Sequence, residues 1–465
     1  MEPQLPYELD DKDSIIAFAK RLKGHTLRSI CSELILQNEY KGKGRFGQLI
    51  EKFYFQYNPN SDAGPDFADA GLELKSSPLK VLKNGEFRSK ERLVLNIINY
   101  IDLVSEVFET SAFWTKNQNL LLIFYLHETE LDTLDYVIKL VEEWNFPDTD
   151  LAIIKKDWEA IQKKVDAGKA HELSEGDTFY LGACTKGANA KSTRKQPKNK
   201  KPAKQRAYAL KQGYVNHIIA TIAKQETGVY GKLLPPSIAV KGSTIEDVVI
   251  SRFEKYYGQT VDQILASLPV KINMKAKDGF ARLTKAILGV APDEEIEEFE
   301  KAEVIVKTVR LEKDDLPKES LSFSSFKYEE LIQEKWDESA LKKILEHKFF
   351  FVFFKRESEQ LILKKAKFWN MPFQDIEEAK KVWSETRRIV SKGNIVNHVK
   401  KGRRYTNFPK KRDNKVSHVR PHASNAADTF PLPKKDKQTG AQEYTKHCFW
   451  LNNTYLRDEI YLKQP

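Results

Sequence analysis

Two unbroken apolar stretches, LLLIFYL at 120–126 and FFFVFF at 349–354, set the frame of this chain. They are far too short to span a bilayer, and their length is that of a strand. Continuous apolar runs of this size predict strands covered on both faces, the centre of a sheet flanked by helices. After each run comes a WNxP motif and then a charged segment with apolar positions at helical spacing. WNFP begins at Trp144 with Trp158 fourteen residues on, and WNMP begins at Trp369 with Trp383 fourteen residues on. Both segments predict amphipathic helices with the second indole turned to the core.

The pattern therefore occurs twice. Upstream, Lys90, Glu91, Leu93 and Tyr100 match Lys318, Glu319, Leu321 and Tyr328, and both stretches continue through a Ser-Ala pair, Ser111-Ala112 and Ser339-Ala340. An internal duplication of one α/β unit accounts for this order, each copy an α+β arrangement around a mixed sheet. The segment KQETGVYGKLLPPSIAVKGS at 224–243, rich in proline and glycine, marks the boundary. The expected division is a first domain over 1–225, a linker over 226–240 and a second domain over 241–465.

Composition adds little until chemistry is considered. With 465 residues and 40% hydrophobic content the chain can bury real cores, and a net charge of +11 favours a polyanionic partner only weakly. The cysteines Cys31, Cys184 and Cys448 lie far apart, which supports neither a disulfide framework nor a zinc site and fits a reducing, cytoplasmic setting. The acidic start MEPQLPYELDDKD does not resemble a signal peptide, and no membrane span is expected.

Candidate chemistry lies in the first half, in Asp66-Phe67-Ala68-Asp69-Ala70-Gly71-Leu72-Glu73-Leu74-Lys75. On a strand Glu73 and Lys75 point to the same face. Two carboxylates beside one cation suit phosphodiester hydrolysis, where a divalent ion offsets phosphate charge and activates water. Glu-x-Lys alone is weak, since it recurs at Glu346 to Lys348 and Glu378 to Lys380. Here the charges sit between apolar residues, and the helix-like GQLIEKFYF just before them offers Glu51 as a third carboxylate.

The segment PDFADAGLELKSSP, preceded by FGQLIE and followed by KERLVLNIINY, FETSAFWTK and TKGANAK, resembles the MutH family of nucleases. Over almost its full length the chain resembles the two-domain, GATC-cutting type II restriction enzymes of the Sau-three-A type, in which an active MutH-like domain precedes an inactive one. The resemblance implies Mg²⁺ held by Asp66, Glu73 and the Leu74 backbone carbonyl, with Lys75, Glu51 and Lys116 completing the catalytic set. It places a base-reading loop over Leu181 to Lys191, where Lys186, Asn189 and Lys191 match the family but Cys184-Thr185 replaces an Arg-Pro pair. Tyr208, Lys211 and Tyr214 fall on a family segment whose Tyr and Lys face DNA, with at least one of the two tyrosines expected to pack in the core.

The two halves differ at the chemistry. Aligning Lys307 with Lys75 puts Ile305 in place of Glu73, and DVVISRF against GQLIEKF puts Ser251 in place of Glu51, so the second half is not expected to cut. It keeps an Arg-Pro pair, Arg420-Pro421, with His422 and Asn425 close by, and an arginine can contact guanine in bidentate fashion. The runs KSTRKQPKNKKPAKQR at 191–206, which includes Arg194, and KKGRRYTNFPKKR at 400–412 supply cations for phosphates beside each reading loop.

The resemblance thus implies a type II, type IIE-like endonuclease of a prokaryotic cytoplasm. Its second domain would bind a further GATC copy as effector, with two chains pairing transiently on DNA. Two alternatives stand beside it: a MutH-like mismatch-repair nicking enzyme, which does not call for a duplicated domain, and a DNA-binding protein without catalysis, in which the charge cluster is structural.

Overall fold

The computed structural model describes residues 5–31, 46–57, 63–187, 191–225, 230–233 and 244–463. The chain divides into two compact units: 1–244 together with 294–303, and 245–293 together with 304–465. Both are mixed α/β, and among the described residues no helix is long and apolar enough to cross a membrane.

In the first unit a four-stranded sheet runs in the order Phe87–Ser89, Glu73–Val81, Asn119–Leu126, Ile138–Asn145. Glu73–Val81 lies parallel to Asn119–Leu126, which is antiparallel to Ile138–Asn145. The apolar run at 120–124 is buried throughout, as a central strand covered on both faces must be. A smaller antiparallel sheet orders Leu93–Ile97, Arg206–Leu210 and Leu181–Thr185. The helix Asp148–Asp166 starts after Pro147, carries Asp148 and Asp150 in its first turn and buries Trp158, the amphipathic pattern the sequence predicts.

The second unit repeats this plan down to the register. Its larger sheet orders Ile305–Leu311, Phe349–Glu357 and Gln360–Trp369, again a parallel pair followed by an antiparallel one. In the first unit Glu73 pairs with Leu120 and Leu120 with Trp144; in the second Ile305 pairs with Phe349 and Phe349 with Trp369. The bulge between Phe124 and Tyr125 has its counterpart between Phe353 and Phe354. The smaller sheet also recurs, as Leu321–Phe326, His447–Leu451 and Ser417–Pro421.

Buried polar contacts are duplicated as well. The Tyr214 hydroxyl donates to Asp150 at 3.0 Å, and the Tyr455 hydroxyl donates to Asp375 at 2.9 Å. Ser111 and Ser339 each cap a short helix, accepting from the backbone N–H of Trp114 and Lys342.

The segment 294–303 lies late in the sequence yet belongs to the first unit. Its helix, Glu297–Ala302, packs on the helix Gln212–Ala223 so closely that a Cβ on Gly213 would stand 2.1 Å from the Glu300 carbonyl oxygen. Lys301, 7% exposed at its side chain, reaches both oxygens of Asp150 at 3.1 Å and Glu297 at 2.8 Å. Each end of the buried ammonium's charge is thereby met, which such a group requires.

Candidate active site

In the first unit a tight hairpin brings the acidic residues together. Phe67 and Leu72 exchange backbone hydrogen bonds of 2.9 and 3.1 Å across the turn Ala68–Gly71. Gly71 sits at φ +62°, a conformation that costs glycine little and most other residues more. The hairpin folds Asp66 back onto the first residue of the parallel strand. The Asp66 backbone N–H then donates to Glu73 Oε2 at 2.9 Å, and the Leu74 N–H donates to Asp66 Oδ2 at 3.0 Å. Seven residues of sequence separation thus become direct contact.

Glu73 is 1% exposed, and two lysines answer its charge. Lys75, two residues along the same face, pairs with Glu73 Oε1. Lys116, at the end of the helix Ala112–Asn117 capped by Ser111, lies 3.6 Å from Glu73 Oε2 and donates to the Gly64 carbonyl at 2.7 Å. Glu51 stands on a single π-helical turn, Ile50–Tyr54, that follows the helix Phe46–Leu49; such turns are frequent at functional sites. All five side chains line one cleft of about 480 Å³, together with Leu74 and Asn96.

Burial is the main electrostatic influence. It pushes the Glu51 carboxyl up to about 7, helped by the neighbouring Asp66 charge and opposed by Lys75. Glu73 is also raised, by burial first, with Lys75 pulling the other way. A cluster that resists ionisation in this manner gains from a further positive charge. Among the described residues no group of three or more His, Cys, Asp or Glu side chains is arranged to hold a metal ion. The carboxylates of Glu51, Asp66 and Glu73 that line the cleft are hard oxygen donors of the kind divalent cations take.

At the equivalent place in the second unit this set is absent. Ile305 occupies the sheet row of Glu73, Ser251 lies on the helix Ile245–Glu254 with its hydroxyl on the Val248 carbonyl, and Ile344 stands where Lys116 does relative to the capping serine. The residue seven before Ile305 is Glu298, which belongs to the first unit and accepts from the Leu233 N–H at 2.9 Å. Lys307 remains, and burial lowers its pKa.

The residues expected to meet DNA divide sharply. Lys186 is half-buried just past the strand Leu181–Thr185, Lys191 and Arg194 are exposed, and Asn189 lies outside the described residues. Arg420 and His422 are exposed around Trp450, Arg420 at 4.7 Å over the indole and His422 edge-on at 5.6 Å, and Asn425 is exposed in the following turn. The HVRP segment is a strand edge, Ser417–Pro421, and His418 is buried against Asn452.

Tyr208, Lys211 and Tyr214, in contrast, are buried at 3%, 3% and 0% exposure; for Lys211 and Tyr214 this corrects the expectation that they face DNA, while Tyr208 is among the residues that line the cleft. Tyr208 packs on Phe113, Tyr214 holds Asp150, and the Lys211 ammonium donates to the Thr178 carbonyl at 2.6 Å. These residues hold the unit together. Asn96, on the cleft wall, escaped the sequence analysis because nothing in LVLNI distinguishes a polar residue on a strand edge from one that lines a site.

Residues 55–157 match the family model described as DNA mismatch repair enzyme MutH. The chain is 38% identical over 457 residues to the type II restriction enzyme Sau3AI of Staphylococcus aureus, covering 90% of this chain and 93% of that protein. It is 28% identical over 190 residues to the DNA mismatch repair protein MutH of Shewanella woodyi, covering 40% of this chain and 80% of that one. With MutH of Vibrio campbellii the identity is 25% over 224 residues, 47% of this chain and 94% of that protein.

Proposed function

Since the chain belongs to the family of the type II restriction enzyme Sau3AI, and is accordingly a restriction endonuclease, we propose that it hydrolyses phosphodiester bonds of double-stranded DNA at GATC with Mg²⁺. The observation that carries the assignment of the site is the contact of Asp66, Glu73, Lys75 and Lys116 in one cleft of the first unit. Asp66 and Glu73, with the Leu74 carbonyl, would hold the cation, whose chemistry there would be positive charge to offset the phosphate and to make water easier to deprotonate. Lys75, fixed by its pairing with Glu73, orients the attacking water. Lys116, tethered to the Gly64 carbonyl, places a positive charge where the phosphate gains negative charge. Glu51 accepts a proton at the cleft wall, a role suited to a carboxyl whose pKa lies near 7.

The second unit acts, in this reading, as an effector module that binds another GATC copy without cutting it. Support comes from the loss of the carboxylates at Ile305 and Ser251 beside retained, exposed Arg420, His422 and Asn425. Lys186, Asn189, Lys191 and Arg194 contact DNA in the first unit. One site per chain means that two chains, paired transiently on DNA, deliver a double-strand cut. The tandem units then form a pseudo-dimer, with the catalytic domain first and the effector domain second.

The test is incubation of the purified chain and Mg²⁺ with a plasmid carrying unmethylated GATC sites, beside a plasmid lacking them and a Glu73→Ala variant. GATC-dependent double-strand fragments that vanish in the variant support the proposal. Nicking alone would favour a MutH-like activity, and binding without cleavage would reduce the carboxylate cluster to a structural role.

A further inference from the structure

The cleft that holds the carboxylates is also lined by an amide whose orientation is fixed by a chain of hydrogen bonds. Asn117, fully buried at the end of the helix that bears Lys116, donates from Nδ2 to the Phe113 carbonyl at 2.8 Å. A carbonyl only accepts, so this contact sets which end of the Asn117 amide is nitrogen. The same Nδ2 donates to Asn96 Oδ1 at 2.9 Å, and that in turn decides the Asn96 amide. Its oxygen faces the helix, and its NH₂ group is left for the cleft that Asn96 lines.

Three further observations give this arrangement a purpose. Asn117 Oδ1 is buried without a hydrogen-bond partner, so the pair is held at a cost in stability that mere packing would avoid. The second unit, at the same sheet register and the same distance past the capping serine, carries Ser324 and the fully buried Leu345. The fold therefore tolerates an apolar residue at the helix position, and the amide pair is present only in the unit with the carboxylates. Finally, an amide NH₂ donates twice and accepts nothing, so it can meet the oxygens of a phosphate but cannot ligate a cation.

We infer that Asn96 is a substrate-contacting residue that donates to a phosphate oxygen of the DNA strand in the cleft, and that Asn117 is the positioning residue that keeps its amide turned that way. The inference rests on the proposed DNA cleavage and adds to it a contact outside the carboxylate–lysine set.

The experiment compares full-length Asn96→Ala, Asn117→Leu and the double variant with the parent chain. It measures binding to a GATC duplex and to a duplex lacking GATC, in Ca²⁺, and single-turnover cleavage in Mg²⁺. Loss of a hydrogen bond to a charged oxygen is expected to weaken binding of both duplexes by about tenfold in Asn96→Ala. Asn117→Leu should show a smaller loss in the same direction and a melting temperature no lower than the parent's. In the double variant the second change should add nothing, because Asn117 acts through Asn96. Unchanged binding in Asn96→Ala would overturn the contact, a loss confined to the GATC duplex would reassign it to a base edge, and an additive double variant would overturn the positioning role. Glu73→Ala, included throughout, separates the two levels: if it still cleaves, the proposed site itself is wrong, whereas if it fails to cleave while Asn96→Ala behaves as the parent, only the present inference is lost.

Discussion

Replacing Glu73 by Gln probes the site with almost no change of volume. The side chain is 1% exposed, accepts from the Asp66 N–H and answers two lysines, so the amide keeps one acceptor and loses the charge. Two opposed effects bear on stability. Lys75 and Lys116, at 16% and 13% side-chain exposure, lose their counter-charge, and breaking a buried pair costs about 3–5 kcal/mol. Against this, the variant no longer buries a carboxylate whose pKa burial has raised. The two largely offset, and the cation-free variant should lie within about 2 kcal/mol of the parent, a shift in Tm of no more than about 8 °C for a unit of this size. Cleavage should respond far more, because one of two carboxylates holding the cation is gone: a loss of several kcal/mol in transition-state stabilisation is about 10²–10³-fold in rate. Single-turnover cleavage of a GATC duplex across a range of Mg²⁺ concentrations, with thermal unfolding in parallel, gives both numbers. A rate within tenfold of the parent at every Mg²⁺ concentration would refute the assignment of Glu73 as a ligand, whatever happened to the Tm.

Other consequences can be checked alongside. Because burial and the Asp66 charge raise the Glu51 carboxyl, cleavage should climb as pH rises through its ionisation, at a pH that falls as Mg²⁺ concentration is increased. The raised pKa means that the folded state binds the proton more tightly than the unfolded chain, so cation-free protein should gain Tm as pH falls from 8 towards 5.5, and Glu51→Gln should flatten that slope. Lys301→Met leaves Asp150 buried and unpaired and should cost about 3–5 kcal/mol by chemical denaturation, much of it recovered when Asp150→Asn is added. Restoring a carboxylate with Ile305→Glu in a Glu73→Ala background should give no cleavage, since the second unit has no counterpart of Asp66, Glu51 or Lys116. Arg194→Ala, at an exposed strand position, should weaken binding to all duplexes alike and lower the slope of log affinity against log salt by about 0.9.

The duplication was legible because it is written in residues that the core dictates. Trp144 and Trp369 occupy the same register position in equivalent strands, and Trp158 and Trp383 are buried on equivalent helices, so each motif sits where the packing needs it. The cluster of Asp66, Glu73 and Lys75 was legible for a related reason: a short hairpin with a glycine at positive φ leaves few ways to place those charges. What the sequence hid depends on distant partners. Lys211 looks like a surface cation, yet it is enclosed by carbonyls contributed from Thr178 and Ala302. The strand Arg206–Leu210 is buried on both faces, so alternation could not show that Tyr208 points inward. Likewise EEFEKA, with four charges in six residues, gives no hint that Lys301 meets Asp150 across 151 positions.

That last contact also governs how the protein is made. The first unit is not complete when its own first 244 residues have left the ribosome; it waits for residues 245–293 to follow and for 294–303 to return. Until then Asp150 is without its ammonium, and the groove beside Gly213 is without its helix. A cut placed at the obvious boundary separates the gene but not the structure. An isolated first unit should therefore carry residues 294–303 with it, joined behind residue 244 by a flexible connector.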